Sequence, residues 1–93
     1  MVVGVLHLEL DLSGATSLKD KRQVVRGLID RIHRRFNVAV AEVADQDAHD
    51  RAVLAVACVS NERRHADQVL AHVAGWVDRQ GHMALIGYEV EMI

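Results

Sequence analysis

The chain has 93 residues, is 51% hydrophobic and 26% charged, and carries a formal charge of −2; this is the balance of a globular chain and excludes a disordered one. Its single cysteine, Cys58, excludes an intramolecular disulfide and suits a reducing cytoplasm. The slight negative charge excludes a general polycation, so any affinity for nucleic acid must come from a local basic surface.

In chain order, Val2 to Leu12 alternates, with Leu6, Leu8, Leu10 and Leu12 on one side and Val3, Val5, His7, Glu9 and Asp11 on the other. That predicts a strand with one buried face. The polar breaks at His7, Glu9 and Asp11 exclude a signal peptide or a membrane span of about 20 apolar residues. Ser13 to Thr16 forms a short loop, and a helix follows. Ser17, with Asp20 three residues on, reads as a capping box that starts the helix near Leu18. Leu18, Val25, Leu28, Ile29, Ile32 and Phe36 then line one apolar stripe.

The stretch from Ser17 to Phe36 also holds seven of the 11 Lys and Arg residues against Asp20 and Asp30, a net +5 that leaves −7 elsewhere. Lys19, Arg22 and Arg26 fall together on a flank of the apolar stripe. Lys19, Lys21 and Arg22 also crowd the first turn, where the helix dipole disfavours cations by roughly 0.3 to 1 kcal/mol each. An anion bound there would relieve the conflict. A basic face that is merely solvated, or paired with acidic surface elsewhere, is the competing explanation.

Asn37 to Val43 alternates as a second strand, and Asp45 to Asp50 has turn composition. Ala52 to Ser60 is apolar on both faces and is predicted to be a central strand, paired with the second in a hairpin. Ser60 or Asn61 caps a second helix whose stripe is Ala66, Val69, Leu70, Val73, Trp76 and Val77, with Gly81 as its stop. Met83 to Met92 makes the last strand. The order strand, helix, strand, strand, helix, strand predicts one α+β domain over residues 1–93. It is a ferredoxin-like sandwich, a four-stranded antiparallel sheet of order 4-1-3-2 with both helices on one face. The uncovered face would show His7, Glu9 and Asp11 with Glu89 and Glu91, beside apolar Val3 and Val5. Val3, Val5 and His7 are therefore candidates for a homodimer or partner interface.

Several segments resemble the YlxP-like family of small bacterial proteins of unknown function: SLKDKRQVV, RFNVAVAEV, the pair Gln46 and Asp47, RAVLAVACVSN and YEVEM. The resemblance covers nearly the whole chain. It implies the ferredoxin-like fold, a cytoplasmic bacterial protein, and genes often beside those for translation initiation factor two and ribosome-binding factor A, with no known activity. The family signature falls on Ser17, Leu18, Lys19, Lys21 and Arg22, on Phe36, Asn37, Val38, Val40, Ala41, Glu42 and Val43, and on Gln46 and Asp47. Ala39 stands where this family often has Ser, and His49 where an aromatic is expected.

Asp45, Asp47, His49 and Asp50 lack the spacing of a calcium loop or zinc site, and the histidines are dispersed, with His65 and His72 too far apart on one helix to chelate an ion. No acid/base pair can be assigned, so no catalytic residue, metal or cofactor is expected. The loop before the first helix lacks the Arg of an acylphosphatase and the paired cysteines of a metallochaperone. At 3% aromatic content, base stacking on the sheet is disfavoured. Two functions remain. The first is a non-enzymatic RNA- or ribosome-associated factor binding ribosomal RNA or a ribosomal subunit through Lys19, Lys21, Arg22, Arg26 and Arg34. The second is a homodimeric protein-interaction or small-ligand-sensing module using the open sheet face.

Overall fold

The computed structural model describes residues 1–81 and 83–93, so His82, one of the dispersed histidines, lies outside the described residues. The elements run β1 (Val2–Asp11), α1 (Leu18–Arg35), β2 (Ala39–Ala44), β3 (Arg51–Ser60), α2 (Arg63–Asp78) and β4 (Ala84–Met92). All neighbouring strands are antiparallel, in the order β2-β3-β1-β4. This is the expected sandwich, with its sheet read from the opposite edge.

Alternation along β1 decides which face is covered. Leu6, Leu8 and Leu10 are buried, and their cross-strand partners are Val56, Leu54 and Ala52, also buried. From the helices, Val25, Leu28 and Ile32 of α1 and Ala66, Leu70, Val73, Ala74 and Val77 of α2 join the same cluster. Both helices therefore lie on this side. A buried Leu or Val is worth about 1.5 to 3 kcal/mol relative to its exposed state, so this layer supplies the main driving force of the fold. At Gly4, β1 lies close against α2: a Cβ there would come within 2.8 Å of Leu70 Cδ1.

The ends of the elements differ in detail from expectation. Ser17 does cap α1, accepting from the Asp20 N–H at 3.1 Å. The Asp20 carboxylate reaches one residue further back than a capping box requires, accepting from the Thr16 hydroxyl at 2.6 Å and the Thr16 N–H at 3.2 Å. The hydroxyl supplies a second donor that the Ser17 N–H alone would not. At α2 the N-cap is Glu62, which makes no side-chain cap. Ser60 instead accepts from the Glu62 N–H at 3.1 Å, shaping the turn before the helix.

Gly81 does not end α2, because no described glycine has a positive φ. The last turn tightens at Arg79, whose N–H donates to Trp76 O at 3.2 Å, while the Gln80 N–H donates to Val77 O at 3.1 Å and Gln80 Nε2 to Trp76 O at 2.8 Å. A register shift between Glu9 and Leu10 lets β4 carry an extra residue opposite β1, and a second shift, between Glu42 and Ala44, interrupts β2.

Candidate nucleic-acid interface

The basic residues of α1 divide into three environments. Lys21 points inward. It is 1% exposed, and its Nζ lies 2.9 Å from Glu42 Oε2 on β2 and donates to the Asp45 carbonyl. The Glu42 contact is an ion pair without hydrogen-bond alignment. Asp45 closes β2 with φ of 60°, a left-handed conformation that Asp tolerates better than most residues. Lys21 is therefore corrected as a surface anion contact: its cation is committed to tying α1 to the β2–β3 hairpin. A lysine counts as a surface residue by composition, but its position midway between Leu18 and Val25 on the buried side of the helix turns it toward Glu42.

Lys19, Arg22 and Arg26 are the second group. All are exposed, and with Gln23 they line one depression of about 230 Å³. Among the described residues none of them forms an ion pair. Helical spacing brings them together, since positions i, i+3 and i+7 recur on one side. Surface pairs contribute little to stability, so their charge is free to meet an external anion at small structural cost.

Arg34 is in the third group, apart from the others. It lines a cleft of about 350 Å³ with Arg31, Arg35, Trp76 and Gln80, where the ends of α1 and α2 approach. The Arg35 guanidinium sits 5.3 Å from the centre of the Trp76 ring, and Phe36 meets that ring edge-on at 6.2 Å and 72°. Trp76 and Gln80 were not among the candidate residues read from the sequence. The sequence places Trp76 on the apolar stripe of α2, but the structure leaves it half-buried at the edge of that stripe, packed against the core and about 100° from the centre of the buried residues.

Val3, Val5 and His7 share the uncovered face of the sheet. Their partners on β3 are Val59, Ala57 and Ala55, and on β4 Glu91 and Glu89 stand opposite Val5 and His7. Val59 is 67% exposed, whereas Val3, Val5, Val53, Ala55 and Ala57 are half-buried by their neighbours alone. No Phe, Tyr or Trp ring lies on this face among the described residues: Phe36 and Trp76 belong to the helical layer, and Tyr88 pairs with Leu8 and so points to the helix side.

The loops at the start of α1 are braced. Leu12 N–H donates to Asp50 O at 2.8 Å, and His49 Nδ1 lies 3.2 Å from Ala15 O. His49 thus meets the β1–α1 loop through a polar contact. Among the described residues no three His, Cys, Asp or Glu side chains gather around a point that could hold a metal, and no helix is long and apolar enough to cross a membrane.

Fold and surface define a class: a small α+β sandwich with an exposed cationic helix on one side and an uncovered, acid-rimmed sheet on the other. The chain belongs to the family described as Protein of unknown function (DUF503), whose family model matches residues 3–90. It is also 31% identical over 77 residues to the uncharacterized protein YlxP of Bacillus subtilis (strain 168), covering 83% of this chain and 84% of that protein. The resemblance carried by the SLKDKRQVV and RFNVAVAEV segments is borne out.

Proposed function

We propose that the protein is a non-enzymatic, cytoplasmic RNA-binding factor, acting on ribosomal RNA or a ribosomal subunit, that grips the phosphate backbone with α1. The observation that carries this reading is the group of Lys19, Arg22 and Arg26, exposed, without ion pairs among the described residues, and lining one depression. Phosphate contacts supply affinity through counterion release and need no aromatic platform. The sheet is a poor alternative surface for RNA, because Glu9, Glu89 and Glu91 are exposed at its rim and would repel phosphate.

The test is binding to ribosomal subunits and ribosomal RNA fragments across a salt series, with a Lys19→Glu, Arg22→Glu, Arg26→Glu variant beside the wild type. Losing about three phosphate contacts should flatten the dependence of log K on log salt by about 2 to 3. Equal binding by variant and wild type, or none by either at low salt, would remove RNA binding by this stripe.

A second reading rests on a separate observation. Val3 and Val5 of β1, continued along β3 by Ala57, Ala55 and Val53, form a half-buried apolar strip that no layer of the described chain covers, which supports a homodimer through the sheet face.

A further inference from the structure

We propose that the cleft between α1 and α2 is a second RNA site, one that stacks an unpaired nucleobase on Trp76 and holds the adjoining phosphate with Arg34 and Arg35. The inference rests on the RNA-binding reading and deepens it: α1 would grip backbone at its start and read a single-stranded segment at its end.

The chain has one tryptophan, and it stands half-buried at the edge of a cleft lined by arginines. Phe36 packs edge-on against the indole and fixes its orientation, so the platform is already formed. Arg35 lies over the ring without a carboxylate partner among the described residues. A guanidinium is weakly hydrated and matches phosphate geometry, so it can leave the ring for a phosphate while a base takes its place. Sequence-tolerant binding of single strands combines cationic side chains with aromatic stacking in this way. The cleft, about 350 Å³, falls within the roughly 300 to 1,000 Å³ of ordinary ligand pockets. Arg34 and Arg35 lie in the last turn of α1, at the favourable end of its dipole.

Trp76 is its own reporter. Its fluorescence would be followed during titration with a single-stranded oligouridylate, with inorganic polyphosphate, and with a fully paired, blunt-ended RNA duplex. Saturable quenching by the oligouridylate alone is expected. In an Arg34→Gln, Arg35→Gln variant, confirmed as folded by circular dichroism, the same quenching should need about tenfold more RNA. The Lys19→Glu, Arg22→Glu, Arg26→Glu variant should still show quenching by the oligouridylate, which separates failure of the cleft from failure of the stripe. Equal quenching by polyphosphate would reduce the cleft to a phosphate contact and overturn the stacking proposal. So would the absence of quenching by oligouridylate at low salt, or quenching unchanged in the arginine variant.

Discussion

Lys21 carries the strongest single-residue consequence in the chain. Its side chain is fully enclosed, whereas Glu42 keeps 20% of its side-chain surface in contact with water. Removing the carboxylate charge therefore strands a fully enclosed cation, whereas removing the cation leaves Glu42 with Oε2 buried but part of its side chain still in water. Glu42→Gln should destabilise by about 3 kcal/mol, the lower end of the range for breaking a buried pair, and Lys21→Met by less. Urea denaturation of both variants checks the order; a larger loss for Lys21→Met would show that the stem of the lysine, not its charge, holds the hairpin. A second residue-scale effect is set by Asp20. The hydroxyl of Thr16 and then its N–H hold this carboxyl below the ordinary aspartate range. The pKa falls on folding, so the contribution is complete above the unfolded value of about 3.9 and is lost as pH drops through the folded one. Asp20→Asn should be less stable than wild type at neutral pH, with the difference closing below about pH 4. Thermal unfolding across that range is the measurement.

At the scale of elements, the seating of α2 on β1 depends on the missing side chain at Gly4. A methyl there would meet Leu70 Cδ1 at 2.8 Å and Met92 Sδ at 3.2 Å. Gly4→Ala should therefore cost about 1 to 3 kcal/mol by overpacking. Adding Leu70→Ala makes room, and the two changes should combine to less than the sum of their separate costs. Strict additivity in a double-mutant cycle would mean that α2 shifts freely and the contact is soft. Much of this level was legible in the sequence. Period-two leucines in β1 and period-3.6 stripes in both helices assigned the elements and the buried side, because both periods follow from backbone geometry alone. The element ends were less legible. Gly81 was a plausible stop, but hydrogen bonds from Arg79 and Gln80 to Trp76 O close the helix first.

At the scale of the whole molecule, charge is divided unevenly. Seven of the 11 Lys and Arg side chains lie on α1, while Glu89 and Glu91 of β4 rim the open sheet beside Val5 and His7. An RNA contact and a dimer contact would therefore use different sides and respond to different changes. Val5→Glu should leave RNA binding intact and abolish any dimer; light scattering at high micromolar concentration decides, and a monomeric wild type would dispose of the sheet-face reading.

Charge density along one stretch is a property of the chain itself, and so the sequence by itself determined that α1 is basic, which strand faces are apolar, and in which order the strands pair. Which cations remain available was decided only by tertiary structure. Lys21 is withdrawn because β2 brings Glu42 and the Asp45 carbonyl to it, and Arg34 is separated from Lys19 by most of the helix length. Trp76 and Arg35 meet although they are 41 positions apart in the chain. No local periodicity encodes that meeting, because it depends on how two helices cross after both have docked on the sheet.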